Sequence, residues 1–222
     1  QGVPGAYSHM ACQAIKPDMD AVACASFEEM LSLVQDGQAT LAMVPVENST
    51  AGRVADIHHL LPESGLHIIG EHFQRVNHHL LAPRGSPLDK LKTVHSHAQG
   101  LAQCRLHIRE LGLTPIMHPD TAGAAKDVAT LGDPTVAAVA SRLAAEIYDL
   151  DIVIDSLEDD KKNTTRFLIM SADPFTPKIS DTAMITTLVF QLRSVPAALY
   201  KALGGFATNG INLTKLESYL RP

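Results

Sequence analysis

Apolar residues along the chain fall into two alternating patterns: short continuous runs, and stretches spaced at helical intervals. The clearest helix signal opens at Ser26, where Ser26-Phe27-Glu28-Glu29 has capping-box spacing. Phe27, Met30, Leu31 and Val34 then recur on one face. A buried strand over 41–46 follows and runs into Glu47-Asn48-Ser49. A second unit leads from Leu91-Lys92-Thr93-Val94 to Ser96, then to a helix with Leu101, Cys104, Arg105, Ile108 and Leu111 facing one way. A third begins near Asp120-Thr121 and covers an Ala-rich helix. A fourth strand over 136–140 reaches Ser141, before a helix bearing Leu143, Ile147 and Tyr148. This alternation predicts an α/β protein.

Several strand ends deliver a small polar residue to a helix start. Open α/β sheets bind ligands beyond the carboxyl ends of their strands. Helix amino termini there offer unpaired N–H groups and partial positive charge, which suits a small carboxylate. The same residues are ordinary caps: Ser96 with Gln99 has capping-box spacing, and Thr121 reads as a helix cap. Near Asp173-Pro174-Phe175-Thr176-Pro177-Lys178 a polar, Pro-bearing linker divides a domain over 1–176 from one over 180–222. In the second, 182–192 reads as a strand, 195–206 as a helix and 211–216 as another strand. Such a βαβ start needs more sheet, so this domain reads as incomplete, and Gln1 before a Gly-Val-Pro-Gly turn reads as a clipped amino end.

Composition narrows the classes. Of 222 residues 45% are hydrophobic and 19% charged, the net charge is −6, and basic residues do not cluster. Nucleic acid is therefore not an expected partner, nor is a membrane, since no apolar run reaches spanning length. Three cysteines, Cys12, Cys24 and Cys104, without CxxC spacing, fit neither a disulfide scaffold nor a zinc ribbon. They point to a reducing, cytoplasmic setting. His58-His59, His78-His79 and the His95/His97 pair raise a metal reading, but no His-Glu-x-x-His occurs, and no metal is expected.

Five segments, in order, resemble the prephenate dehydratase family. They are Gly2-Val3-Pro4-Gly5-Ala6-Tyr7-Ser8-His9; Val44-Pro45-Val46-Glu47-Asn48-Ser49 with Gly52; Ser96-His97 with Gln103-Cys104; Thr121 with Ala124-Ala125; and Asn163-Thr164-Thr165-Arg166-Phe167. Any one is a weak signal, but the ordered set is specific. The resemblance implies a two-lobed catalytic domain like a type 2 periplasmic binding protein, then a partial, ferredoxin-like α+β ACT domain. Pro196-Ala197-Ala198-Leu199-Tyr200 and the run from Asn209 to Ser218 resemble that ACT domain. By resemblance, Ala198, Leu199, Asn209, Ile211, Asn212, Leu213, Glu217 and Ser218 would bind phenylalanine as an inhibitor. Ala197 stands where the family commonly has glycine, and Tyr219-Leu220 intervene before Arg221-Pro222.

The implied reaction expels carbon dioxide and the ring hydroxyl from prephenate, giving phenylpyruvate for phenylalanine biosynthesis, with no cofactor. By resemblance Thr165 assists departure of the hydroxyl, as donor or relay. Glu47, Asn48, Ser49, Ser96, Gln103, Thr121, Arg166 and Phe167 are the expected substrate contacts. Side chains alternate along a strand, so if Thr165 faces the ligand Arg166 faces away, unless the backbone bends. It would then pair with an acid such as those of Glu158-Asp159-Asp160, while Phe167 would wall the ring or fill core. Cys104 fits its helix's apolar stripe. Two alternatives stand: arogenate as substrate, and a non-catalytic amino-acid or carboxylate sensor. A homodimer or homotetramer is expected, with lobes that close over substrate.

Overall fold

The computed structural model of the chain describes residues 1–178 and 184–218. The first two residues of the expected 182–192 strand, and Tyr219 to Pro222, lie outside the described residues. In the first lobe, α1 (Tyr7–Ile15) and α2 (Phe27–Gln35) precede β1 (Ala42–Asn48), β2 (Gly52–Arg53), α3 (Ala55–Leu60) and β3 (His67–Arg75). The second lobe holds β4 (His79–Pro83), β5 (Thr93–Ser96), α4 (Ala98–Gln103), α5 (Arg105–Glu110), β6 (Thr114–Met117), α6 (Thr121–Leu131), β7 (Val136–Ala140), α7 (Arg142–Tyr148) and β8 (Leu150–Ile154). The chain then returns to the first sheet as β9 (Thr164–Ser171), and a later helix is α8 (Ala198–Thr208).

The first sheet is antiparallel, in the order β2-β1-β9-β3, and the second runs β6-β5-β7-β4-β8, with β5 parallel to both its neighbours. One apolar cluster packs α2 and α3 on the first sheet through Met30, Leu31, Val34, Val44, Ile57 and Leu168. The second sheet is covered on both faces, by Leu101 and Ile108 with Val94 on one and by Ala125, Val128 and Ala144 with Ala138 on the other. This is the two-lobed α/β arrangement expected of the catalytic domain.

Two stretches join the lobes and lie side by side. Residues 76–78 lead from β3 to β4, and residues 155–163 lead from β8 to β9. The Val76 N–H donates to the Asn163 carbonyl at 3.0 Å, and the Leu157 N–H to the His78 carbonyl at 2.7 Å. The first turn also ties in: Gly2 donates to the Cys24 carbonyl at 3.0 Å, and the Ser141 hydroxyl donates to the Gly5 carbonyl at 2.5 Å. Gly5 has a φ of +87°, and a Cβ there would lie 2.9 Å from Ala144 Cα, so only glycine fits this approach.

Local signals and structure agree at α2, where Ser26 Oγ accepts from the Glu29 N–H at 3.1 Å, and differ elsewhere. Ser96 is not a cap: the cap of α4 is His97, whose Nδ1 accepts from the Gln99 N–H at 3.3 Å. Thr121 is the first helical residue of α6, and its cap is Asp120, which accepts from the Gly123 N–H at 2.5 Å. The helix expected through Leu111 breaks at Cys104 into α4 and α5. Beyond the linker, α8 forms, but no strand does among described residues 184–218, although 184–192 and 211–216 carry strand-like sequences. Strands persist only where a neighbouring edge takes up their backbone groups, and no described residue supplies one there.

Candidate active site

The site is built on the β1–β9 ladder. Pro45 lies opposite Phe167, yet Glu47 lies opposite Arg166 and Asn48 opposite Thr165, so Val46 is an extra residue, a β-bulge. In an unbulged ladder Glu47 would stand against Thr165. The bulge puts an amide there in place of a carboxylate. On the other side of β9, Gln74 pairs with Thr165 and His72 with Phe167.

From Asn48 a chain of hydrogen bonds crosses between the lobes. Asn48 Nδ2 donates to Thr165 Oγ1 at 2.9 Å and to Asn163 Oδ1 at 2.6 Å. Asn163 Nδ2 donates to Gln103 Oε1 at 2.6 Å, and the same oxygen lies 2.8 Å from His78 Nε2. His78 Nδ1 lies 2.9 Å from the Tyr7 hydroxyl, which also donates to the Asn77 carbonyl at 2.6 Å. Burial pushes the Tyr7 phenol up and the His78 imidazole down, so the first keeps its proton and the second is neutral.

The second crossover splints this chain from behind. Besides the Leu157–His78 bond, the Asp159 N–H donates to the Gln103 carbonyl at 2.7 Å, and the His78 N–H donates to Glu158 Oε2 at 3.0 Å. Glu158 is buried, and its Oε1 has no partner among the described residues. Gly100 lets α4 close on this region: a Cβ there would lie 2.9 Å from Ser96 Oγ and 3.4 Å from the Thr121 methyl, with His78 Cε1 at 3.6 Å.

The expected site residues are distributed as follows. Thr165, Asn48 and Gln103 form one connected group through Asn163, and Ser96 and Thr121 meet at Gly100 beside His78. The Ser96 hydroxyl is buried and donates to the Val139 carbonyl at 2.6 Å. Ser49 donates to the Lys162 carbonyl at 3.0 Å and accepts from the Thr164 N–H at 2.9 Å, clamping the turn before Thr165. Arg166 points to the opposite face, where Nε and Nη2 both reach Glu71 Oε2, at 2.8 and 2.7 Å; its partner is Glu71 and not the 158–160 acids. Phe167 is 1% exposed and fills core. Glu47 pairs with Lys215 Nζ at 2.5 Å, and Lys215 lies 3.1 Å from Glu217. The phenylalanine contacts expected at Ala198, Leu199 and Asn209 lie on or just after α8, and those from Ile211 to Ser218 on the segment that follows.

Four residues of this group, Asn163, His78, Glu158 and Tyr7, were not singled out as site residues by sequence. His78 read as half of a His-His metal pair, but it bonds Gln103 while His79 faces Asp155 at 2.7 Å. Among the described residues no three His, Cys, Asp or Glu side chains cluster as metal ligands. Glu158 sits in an acidic run that looks solvated, and Tyr7 lies 71 positions from His78. Tyr7 and Asn163 lie in segments that carry the family resemblance, and for His78 the signal was the polar pair His78-His79 opening the apolar stretch 80–82. All three thiols, Cys12, Cys24 and Cys104, are pushed up by burial, so none is a ready nucleophile. No helix among the described residues is long and apolar enough to cross a membrane.

The paired crossovers that join the two α/β lobes carry a polar amide cluster, in which Asn163 links Asn48 to Gln103. The family model "Prephenate dehydratase" matches residues 1–174, and the chain belongs to that family of hydro-lyases. A bifunctional N-acyl-homoserine lactone acylase/prephenate dehydratase of Komagataeibacter europaeus is 50% identical over 220 residues, 99% of this chain and 78% of that protein. Arogenate dehydratase/prephenate dehydratase 2 of Arabidopsis thaliana is 42% identical over 98% of this chain and 57% of its own length, so the chain spans little more than half of that relative. Among solved structures, prephenate dehydratase of Arthrobacter aurescens in complex with L-Phe matches with a TM-score of 0.81 and 27% identity, over 98% of this chain and 74% of that one.

Proposed function

We propose that the chain converts prephenate to phenylpyruvate, carbon dioxide and water, with Thr165 as the group that assists departure of the ring hydroxyl. One observation carries this reading. Thr165 Oγ1 accepts from Asn48 Nδ2 at 2.9 Å, so its own proton is directed elsewhere. A hydroxyl whose lone pair is already engaged is turned into a donor for an oxygen in front of β9.

In the reaction the bond from the ring to its carboxylate breaks, and its electron pair aromatises the ring. The C–O bond to the ring hydroxyl breaks on the far side of the ring, and the departing oxygen gains a proton to leave as water. Threonine is too weak an acid to ionise, so Thr165 stabilises the developing hydroxide by a hydrogen bond while solvent supplies the net proton. Amides cannot pass a proton along, so the Asn48–Asn163–Gln103 chain positions and does not conduct. Gln103 Nε2 and the first-turn N–H groups of α6 at Thr121 are donors suited to the substrate's carboxylates. Arg166, held by Glu71, acts on the sheet beneath.

Support for phenylalanine as inhibitor comes from the Arthrobacter aurescens complex with L-Phe and from Lys215, which ties the segment after the linker to Glu47, next to Asn48. Exposed Leu188, Val189, Tyr200, Ile211 and Leu216 in that segment favour pairing with a second subunit. The test is phenylpyruvate formation from prephenate, with arogenate run in parallel. Thr165→Ala is expected to lose about 10² or more in kcat with unchanged melting, and Thr165→Ser to keep most of it. A Thr165→Ala chain as fast as the parent overturns the assignment, and turnover of arogenate alone replaces the substrate.

A further inference from the structure

The direction of every bond in the amide chain is fixed from one end. Asn48 Oδ1 accepts from the backbone N–H groups of Thr50 at 3.0 Å and Ala51 at 2.8 Å, so its Nδ2 must face Asn163 and Thr165. Asn163 therefore presents Oδ1 to Asn48 and donates from Nδ2 to Gln103 Oε1. With Oε1 turned that way, Gln103 can only accept from His78 Nε2, 2.8 Å away. A ring protonated on Nδ1 alone would set two acceptors against each other at that distance. On the other side, Nδ1 is left to accept from the Tyr7 hydroxyl, whose proton it shares with the Asn77 carbonyl.

The consequence falls on Gln103. Its Oε1 takes two donors, and its Nε2 hydrogens bond nothing among the described residues. They form the end of the amide offered to a ligand. If Gln103 turned over, it would offer a lone pair to an anionic substrate, and an attraction would become a repulsion.

We propose that His78, held as the neutral tautomer protonated on Nε2, is a positioning residue that locks Gln103 with its Nε2H2 group toward a carboxylate of the substrate. This rests on the prephenate reading above. The ring is built for the task. His78 is 2% exposed, and Tyr7 packs edge-on against it, with centroids 5.6 Å apart at 84°. Its backbone is held on both sides by the 157–158 crossover, through the Leu157 N–H and Glu158 Oε2. Burial keeps the ring neutral although the Gln103 hydrogen bond and then the Glu158 carboxylate favour the charged form, and His79 adds to the effect of burial.

Nitrogen NMR of the whole chain labelled with 15N-histidine tests the tautomer directly. The expected spectrum at neutral pH shows His78 with a protonated Nε2 and a bare Nδ1. A ring protonated on Nδ1 alone, or on both nitrogens, overturns the proposal. Kinetics test the consequence. His78→Gln places an amide N–H near the Nε2 position, whereas His78→Asn places one near Nδ1. His78→Gln should keep the prephenate KM within about threefold, while His78→Asn raises it about tenfold or more, with kcat changed less. Equal KM values in the two variants, both melting as the parent does, sink the role of His78. Should His78→Asn fail to fold, Gln103→Glu decides, since it keeps the acceptor for His78 and removes the donors. It should raise KM at least about tenfold while the Nε2-protonated spectrum persists, and an unchanged KM overturns the proposal. A parent chain that does not turn over prephenate removes the reaction. The spectrum, and phenylpyruvate binding compared between the variants, still decide His78.

Discussion

Burial holds the His78 and His79 imidazoles below their ordinary value of 6.5, and Asp155 only partly offsets this at His79. In the unfolded chain both protonate near that value, so the unfolded state binds more protons as pH falls. Stability should thus be full above about pH 7 and decline as pH drops through 6.5. Urea midpoints measured from about pH 7.5 to 5 should fall, and fall less for His78→Gln, which cannot charge. A parallel decline in both chains would show that His78 is not among the causes. At this scale the sequence revealed chemistry better than partnership. The alternation Thr165-Arg166-Phe167 correctly separated Arg166 from the Thr165 face, because period two is a local property. Its partner Glu71 lies 95 positions away, in a segment with no motif of its own. The burial of Glu158 was equally illegible, since a carboxylate in an acidic run is normally solvated.

Elements were legible where patterns are local, and less so where a single residue sets the register. The capping box of α2 and the strand leading to Asn48 follow from spacing, but nothing in Val44-Pro45-Val46-Glu47 declares that Val46 is extra. The caps of α4 and α6 were each misplaced by one position, because Ser96-His97 and Asp120-Thr121 offer adjacent candidates. The 182–192 and 211–216 segments have strand composition, and composition does not provide the neighbouring edge. Within the first sheet, the Arg166–Glu71 pair joins β9 to edge strand β3 with side chains only 16% and 23% exposed. Removing one charge leaves the other half-buried and unpaired, so Arg166→Leu and Glu71→Leu should each cost about 2 kcal/mol in urea unfolding. The double variant should cost less than their sum, with kcat changed only a few-fold. An additive double variant would mean the pair is not coupled.

At the scale of the whole molecule, the Lys215–Glu47 ion pair spans the linker, and both residues are more than a third exposed. Such a pair adds little to stability, so its removal should show in communication and not in melting. If phenylalanine inhibits as proposed, Lys215→Ala is expected to keep its melting temperature within a degree or two and raise the phenylalanine concentration for half-inhibition several-fold. Unaltered inhibition would place the coupling elsewhere. The paired crossovers have a mechanical consequence. If the lobes swing on those two connections, displacement grows with distance from the axis, as on a door. Asn163 and His78 sit at the pins, while the rim of the second lobe travels furthest. The amide cluster would then keep its alignment at every opening angle. Admission of substrate and alignment of the reacting groups become separate operations, so the aperture can widen without detuning the chemistry.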